Sequence, residues 1–261
     1  MTMSRLQDAL ATKDRVWGGW VVGPTIHGPE EFARAGYDYI GFDVQHGYLG
    51  DAEVALMLRR LEHVPVATAV RLPTPDAAPI GRVLDAGADA VVIAMVESAE
   101  QATAAVAATR YAPAGVRSFG PLRAGMGLDP ADLQARASVF AMVETAHGLA
   151  AIDEICAVDG LTGVYVGPAD LAISMGHAPA DAWSRQEVRD AMTHIQRTTD
   201  SAGLISGVHA GTGKLGNTAA QLGFRMITLA SESQALHRGA TAHLGEALGT
   251  AGAADPRKAG Y

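Results

Sequence analysis

The chain has 261 residues, of which 48% are hydrophobic and 30 are glycine, and its formal net charge at pH 7 is −8. This length and composition suit one large α/β barrel or two smaller domains, and they exclude a disordered chain. The acidic balance and the lack of a Lys/Arg cluster argue against nucleic acid or an anionic membrane surface as partner, which leaves a small molecule.

The chain shows no sign of a membrane span or of export. No apolar stretch approaches the roughly 20 residues that a spanning helix needs, and the N-terminal MTMSRLQDAL is polar and lacks a signal-peptide core. We therefore expect a cytoplasmic protein without a membrane partner. The single cysteine, Cys156, stands among apolar residues, which favours a buried hydrophobic side chain over a nucleophile.

Eight short apolar runs recur along the chain, and each is followed by a Gly/Pro/polar turn and then by a helical pattern. The runs cover residues 16–22, 39–43, 66–71, 90–94, 139–144, 163–166, 204–208 and 224–230. Most are continuous stretches of Val, Ile, Ala and Leu, as in parallel strands that are covered on both faces. The pattern therefore predicts βα units from end to end.

Helices are predicted between these runs, for example over residues 51–61, 75–86 and 99–110. Several of them end in Ala-Gly or Leu-Gly, which is typical of a helix C-terminus. No linker or compositional break divides the chain, so the economical interpretation is a single (β/α)8 TIM barrel domain over residues 1–261, with a flexible Gly/Ala-rich tail from about residue 248. A doubly wound open sheet is the alternative.

Catalytic groups of such a barrel lie at the carboxyl ends of its strands and in the loops that follow. Five polar side chains stand at these positions: Asp43, His46, Arg71, Glu144 and Asp170. Glu144 and Asp170 would form a hard oxygen-donor site with open positions, which suits Mg²⁺ or Mn²⁺ better than Zn²⁺. Alternatively, Asp170 only caps a helix and Glu144 caps the segment after Thr145.

Arg71 and His46 are the candidates for direct chemistry. Arg71 places a permanent cation over the mouth and could stabilise an oxyanion; the alternative is a salt bridge to Glu97 or another loop acid. His46 follows Asp43 by three residues, and a neutral imidazole oriented by a carboxylate is a plausible general base. His209 also follows a predicted strand and could line the mouth, but we assign it no role.

Several segments together resemble a known family. They are FDVQHG, AVRLP, LDAGADAVVIAMVESAEQA, RYAPAGVRSFG, the run from MVETAHG to VGPADLAISMG, and LGFRMITLASES. In this order, over roughly residues 15–240, they resemble the HpcH/HpaI family of class II, metal-dependent pyruvate aldolases. The resemblance implies an aldolase that forms or cleaves hydroxy-2-oxo acids through a pyruvate or hydroxypyruvate enolate and an aldehyde.

The resemblance also implies roles for single residues. Glu144 and Asp170 would ligate Mg²⁺ or Mn²⁺, with Co²⁺ as a further option and no organic cofactor. His46 would be the base and Arg71 would stabilise the enolate, with Asp43 supporting His46. The substrate would contact Gln45, Gly167, Ala169 and Asp170, with the backbone amides of Ala169 and Asp170 on its carboxylate.

Assembly and specificity follow from the same resemblance. It implies a homo-oligomer, trimer or hexamer, whose last helix swaps between subunits and in which Asp85 tunes the histidine of a neighbouring subunit. The chain departs from the family at Gln45, where Glu is common, and at Met142, where Gln is often found. Loop residues 24–28 and 118–127 are expected to line the pocket for the aldehyde.

Three rival functions stay open at this point. GTGKLG places Gly211, Gly213 and Gly216 in the spacing of a dinucleotide-binding loop, which favours an NAD-linked oxidoreductase, although few residues follow for the rest of such a domain. An acyl-CoA lyase of the citrate lyase β-subunit type would need basic residues for the nucleotide. The candidates for them are Arg117, Arg123 and Lys214. The third rival is a non-catalytic barrel that serves as an oligomeric scaffold.

Overall fold

The computed structural model describes residues 3–249. Its eight strands are parallel and form a closed barrel in which each strand pairs with the next and β8 pairs with β1. The strands are β1 Val16–Val21, β2 Tyr39–Asp43, β3 Ala67–Leu72, β4 Ala90–Ile93, β5 Ser138–Val143, β6 Gly163–Val166, β7 Ile205–His209 and β8 Met226–Ser231. The fold is the predicted (β/α)8 TIM barrel, and the open sheet is wrong.

Helices alternate with the strands along the chain. They are α1 Arg5–Thr12, α2 His27–Arg34, α3 Asp51–Arg60, α4 Ala77–Asp85, α5 Ala99–Thr109, α6 Pro130–Ala135, α7 Ala146–Ala150, α8 Ile152–Cys156, α9 Pro168–Ser174, α10 Gln186–Ser201, α11 Gly213–Gln221 and α12 Glu232–Ala247. The predicted strands and helices are present, with ends that differ by at most two residues. The predicted tail lies almost wholly outside the described residues.

Local chemistry explains where several helices end. The glycines of three of the predicted Ala-Gly and Leu-Gly helix ends, Gly36, Gly87 and Gly223, have positive φ values of 92°, 101° and 100°. Glycine adopts this left-handed conformation without the penalty that a Cβ brings, so each of these positions closes a helix and turns the chain toward the next strand.

The core has two layers. The larger layer packs the outer faces of the strands against the helices, and it includes Cys156, which is buried as predicted. The smaller layer fills the barrel itself and contains Tyr39, Phe140 and Tyr165. Helix α1 closes the amino-terminal end of the barrel with Leu6, which is fully buried in this inner layer. The barrel is therefore a packed core, and its carboxyl end bears most of the predicted site residues.

The glycine-rich segment after β7 does not form a dinucleotide-binding loop. Gly213 and Gly216 lie in α11, and a Cβ at Gly216 would come within 2.3 Å of the Leu229 side chain. Gly216 therefore serves the packing of α11 on β8. The NAD-linked interpretation is wrong, because the doubly wound domain that it needs is replaced by a closed barrel.

No helix within residues 3–249 is both long enough and apolar enough to cross a membrane.

Candidate active site

Asp43 is the last residue of β2 and Arg71 is the last but one of β3, and the two are paired in register across these strands. Arg71 Nε donates to Asp43 Oδ1 at 3.0 Å, and Nη2 donates to Oδ2. Both side chains are buried. Burial by itself would raise the pKa of the Asp43 carboxyl, but the hydrogen bonds and charge of Arg71 outweigh it and hold that pKa below its ordinary value. The alternative for Arg71, a salt bridge to Glu97 or another loop acid, holds in part: Arg71 does form an ion pair, but its partner is Asp43 at the end of β2.

Asp43 uses its remaining hydrogen-bonding capacity on its own strand end. Its Oδ1 accepts from the backbone amides of Gln45 and His46, each at 3.0 Å. Its carboxylate therefore supports His46 through the backbone, while the imidazole is on the exposed side of the loop. Gln45 Oε1 is buried without a hydrogen-bond partner among the described residues.

Trp20, in β1, joins these groups and was missed in the sequence. Its Nε1 donates to Asp43 Oδ2 at 3.0 Å, and the Arg71 guanidinium lies over its ring at 5.5 Å from the centroid. A Cβ at Gly41 would lie 2.2 Å from the indole, so the indole can occupy this position only because residue 41 is glycine. An apolar residue in an apolar strand gives no sequence signal for such a contact.

Glu144 follows β5 and is 1% exposed. Its Oε1 accepts from the Met95 amide at 2.9 Å, whereas Oε2 is buried without a partner within the described chain. Burial raises the pKa of Glu144 to about 7, and the nearby charge of Asp170 acts in the same direction. The capping interpretation of Glu144 is wrong, because the side chain of Thr145 itself caps α7 by accepting from Gly148 N at 3.0 Å.

Met95 presents its amide to Glu144 from a strained backbone. Its φ is 53°, in the left-handed region that residues with a Cβ rarely adopt, and its side chain is exposed. Strain of this kind persists where the surrounding structure fixes it, and it is concentrated at functional sites.

Asp170 lies in the first turn of α9, two residues after its first residue, Pro168. The helix begins at Pro168 with Gly167 as its N-cap, so the interpretation of Asp170 as the cap is also wrong. The amides of Ala169 and Asp170 precede the first intrahelical hydrogen bond, which runs from Leu171 N to Gly167 O. Such first-turn amides are free to bind an anion.

The surroundings of Glu144 fit a divalent cation. A Cβ at Gly167 would lie 2.2 Å from Glu144 Oε2, so this glycine keeps the unpartnered oxygen accessible to a ligand. A buried carboxylate oxygen without a partner is costly, and a hard cation held with Asp170 would remove that cost. Within residues 3–249 no group of three or more His, Cys, Asp or Glu could hold a metal, so two protein carboxylates would leave other positions open.

The side chain of Met142 lies between Arg71 and the Glu144 carboxylate. Arg71 Nη1 lies 4.0 Å from Met142 Sδ, and Met142 Cε would be 2.8 Å from a Cβ at Gly167. A thioether is a weak acceptor, so Nη1 keeps its capacity to bind an oxygen in the mouth.

Comparison with known proteins agrees with this geometry. A family model described as HpcH/HpaI aldolase/citrate lyase matches residues 18–238. The chain belongs to this family. It is 37% identical over 218 residues to a hydroxypyruvate/pyruvate aldolase of Rhizorhabdus wittichii, covering 82% of this chain and 86% of the relative.

Two further members are similar over almost the whole chain. A 4-hydroxy-2-oxo-heptane-1,7-dioate aldolase of Klebsiella pneumoniae is 31% identical, with 90% of this chain and 91% of the relative covered. A crystal structure of an HpcH/HpaI aldolase/citrate lyase family protein from Burkholderia cenocepacia superposes with a TM-score of 0.86 at 28% identity, covering 94% of this chain and all of that one.

Asp85, for which the family resemblance implies a role, is far from the other site residues of its own chain. It ends α4, the helix that runs from β3 back to the start of β4, so it lies at the amino-terminal end of the barrel. There Asp85 Oδ1 accepts from Arg117 Nη2 at 2.7 Å. A role for Asp85 in catalysis is therefore possible only toward another subunit, and it stays a prediction.

The connection between α5 and β5 also lies at that far end. Leu122 N donates to the carbonyl of Asp85 at 2.9 Å. The expectation that residues 118–127 line the mouth of their own barrel is therefore wrong. Residues 24–28 do follow β1 at the mouth, where Glu232 Oε1 accepts from the amides of Val22 and Gly23 at 2.9 and 3.0 Å.

The same placement weakens the acyl-CoA alternative within the family. Arg117 is buried in its pair with Asp85, and Arg123 Nε lies 3.6 Å from Glu62 Oε1, so both are engaged at the end opposite the site. Of the three basic candidates, Lys214 alone, in the first turn of α11, lies on the side of the mouth.

Proposed function

We propose that this chain is a divalent-metal-dependent aldolase that forms or cleaves hydroxy-2-oxo acids through the enolate of pyruvate or hydroxypyruvate and an aldehyde. The observation that carries the proposal is the buried Glu144 carboxylate, whose Oε2 has no partner among the described residues, beside Asp170 and within the field of Arg71. The aldolase names of similar proteins support the same reaction class.

Glu144 and Asp170 would hold the cation, for which Mg²⁺ or Mn²⁺ suits the oxygen donors best and Co²⁺ is an alternative. When bound, a divalent cation supplies a Lewis acid that polarises the ketone of a 2-oxo acid. That no organic cofactor takes part stays a prediction.

The chain's own groups would then bind the donor and handle its proton. The first-turn amides of Ala169 and Asp170, after Gly167, would donate hydrogen bonds to the substrate carboxylate. Arg71 Nη1, left free by the two-point pair with Asp43, would hold the oxygen on which negative charge develops. His46 would take the proton from the carbon next to the ketone and return it in the reverse direction. Gln45 would contact the substrate from the same loop.

We further propose that the chain works as a homo-oligomer, trimer or hexamer, in which α12 packs on another subunit and Asp85 reaches a neighbour's His46. Support comes from α12 itself, since none of its residues is buried and Leu236 and Leu244 are 75% and 61% exposed. A cytoplasmic location, a single domain through residue 261 and the absence of nucleic-acid and membrane partners stay predictions.

The decisive experiment is proton exchange at the methyl group of pyruvate. Chelator-treated protein is incubated with pyruvate in D₂O, with and without Mg²⁺ or Mn²⁺, and deuterium uptake is followed by NMR. We expect uptake that requires the metal and that falls at least a hundredfold in His46→Ala. His194→Ala, at an exposed histidine of α10, is the matched control. Uptake that does not need the metal would remove the metal from the mechanism. Equal rates in His46→Ala and His194→Ala would remove His46 from it.

Metal binding is tested separately by calorimetry. We expect Glu144→Ala and Asp170→Ala each to weaken Mn²⁺ binding at least tenfold, because each would remove one of two protein ligands. Glu97→Ala, near the mouth but outside the site, should bind as the parent does. Unchanged binding in the first two variants would move the metal elsewhere.

A further inference from the structure

His209 is a polar side chain of the mouth to which the mechanism gives no task. It is the last residue of β7 and lies opposite Thr228 of β8. Its ring meets the edge of Trp20, with 5.3 Å between the centroids and 84° between the planes. His209 and Arg71 therefore contact the same indole, which places His209 on the wall of the site that holds Arg71.

The chemistry of this imidazole is that of a neutral hydrogen-bonding group. Burial, assisted by the positive charge of Arg71, lowers the pKa of His209 to about 4. At neutral pH the ring is uncharged, with one N–H donor and one nitrogen acceptor. Within residues 3–249 neither ring nitrogen has a hydrogen-bond partner, and the contact with Trp20 is the ring contact that the structure shows.

Packing alone does not explain a histidine at this position. A phenylalanine ring would make the same edge contact with Trp20 without placing two polar nitrogens in the mouth that no protein group pairs. A role as general base is also poor, because a base of such low pKa accepts a carbon-bound proton weakly. Polar atoms that lack a protein partner in a substrate mouth are instead available to a polar group of the substrate.

We propose that His209 determines substrate specificity by hydrogen-bonding a hydroxyl group of the substrate. The proposal rests on the aldolase function above and adds a preference for hydroxylated substrates. The hydroxyl has two possible sources: C3 of hydroxypyruvate as donor, or the carbon next to the aldehyde of a hydroxyaldehyde as acceptor. Because either source would present the same O–H group to the imidazole, two separate comparisons are needed, one of donors and one of acceptors.

The first arm compares donors in the absence of an aldehyde. The metal-loaded full-length chain and His209→Phe are incubated in D₂O with pyruvate or with hydroxypyruvate, and exchange at C3 is followed by NMR. If the donor hydroxyl is bound, His209→Phe lowers kcat/KM for hydroxypyruvate about tenfold relative to that for pyruvate, the effect of one net hydrogen bond.

The second arm compares acceptors with pyruvate as the fixed donor. Glycolaldehyde and acetaldehyde differ by one hydroxyl group, so the ratio of their kcat/KM values isolates it. If the acceptor hydroxyl is bound, His209→Phe lowers this ratio about tenfold and leaves the donor ratio of the first arm within twofold.

Two controls separate specificity from structure. His209→Asn keeps a donor and an acceptor and should retain part of the preference, whereas His194→Phe, on the exposed face of α10, should retain all of it. If His209→Phe does not fold, His209→Leu carries the same expectation. The proposal is overturned if His209→Phe changes kcat/KM by the same factor for both donors and by the same factor for both acceptors. It is also overturned if His209→Phe changes none of these values. Loss of metal-dependent exchange in the parent would instead overturn the aldolase function.

Discussion

Arg71 and Asp43 form a two-point ion pair across neighbouring strand ends, with Arg71 Nε 3.0 Å from Asp43 Oδ1 and Nη2 in contact with Oδ2. The pair consumes two of the guanidinium's three nitrogens and directs the third, Nη1, toward Met142 and the mouth. Because both side chains are buried, neither can lose its partner without leaving an uncompensated charge in the barrel.

We therefore expect Asp43→Asn to lower the free energy of unfolding by about 3 kcal/mol, since it leaves Arg71 buried without a counter-charge. Pyruvate exchange should fall at least tenfold, because Arg71 is no longer held in one orientation. Urea denaturation and the D₂O assay measure the two effects. Glu31→Gln breaks an exposed pair with Arg34 and should cost about 0–1 kcal/mol. Similar losses in the two variants would contradict a special role for the buried pair.

The raised pKa of Glu144 makes the stability of the metal-free protein depend on pH. In the unfolded chain this carboxyl loses its proton near its ordinary pKa, whereas burial holds the folded pKa at about 7. Between these values the folded state binds more protons, so stability falls as pH rises from about 4.5 to about 7. Asp89, whose pKa burial also raises, acts in the same direction.

Glu144→Gln should remove that part of the pH dependence. In the presence of chelator, we expect the free energy of unfolding of the variant to exceed that of the parent by about 1–3 kcal/mol at pH 8 and by little at pH 4.5. Urea denaturation at both pH values measures the difference, and Asp153→Asn, at an exposed carboxylate of α8, is the control. A variant that is less stable than the parent at pH 8 would show that Glu144 is charged and well solvated in the folded protein.

The barrel could be predicted from sequence because its cause is local and repeated. Eight apolar runs separated by helical patterns leave few other ways to bury both faces of parallel strands. The ends of those strands are then a list of candidate site residues, which is how Asp43, Arg71 and Glu144 were found. Their contacts were not predictable, since the pairing of Asp43 with Arg71 depends on the register of β2 against β3.

Other contributions depend on backbone geometry or on the chain's path. Trp20 is one of several apolar residues in its strand, and only the barrel's curvature brings its indole to both Asp43 and His209. The role of Met95 could not be predicted from its side chain, because it contributes its backbone amide, which donates to Glu144. Residues 118–127 were expected near the mouth as a loop of small residues, but the path from α5 to β5 takes them to the opposite end.

Met95 offers a direct test of backbone strain at the site. Its φ of 53° is unfavourable for any residue with a Cβ and acceptable for glycine. We therefore expect Met95→Gly to be about 1 kcal/mol more stable than Met95→Ala, since both lose the same exposed side chain and only alanine keeps the strain. Chemical denaturation of the two variants provides the comparison. At Ser174, whose backbone is helical, we expect the opposite order: Ser174→Ala should be more stable than Ser174→Gly. An Ala variant at position 95 as stable as the Gly variant would refute the strain.

The exposed face of α12 carries the last prediction. Leu236 and Leu244 lie two helical turns apart on one side of a helix that buries none of its residues. If this side packs on another subunit, Leu236→Glu combined with Leu244→Glu places charges in that interface and shifts the protein to smaller species. Stability of the barrel in dilute solution should change by less than about 0.5 kcal/mol, as for other surface substitutions. Light scattering coupled to size-exclusion chromatography reports the mass, and Ala242→Glu, at an exposed position on the opposite side of α12, should leave it unchanged. An unaltered mass in the double variant would mean that α12 takes no part in assembly.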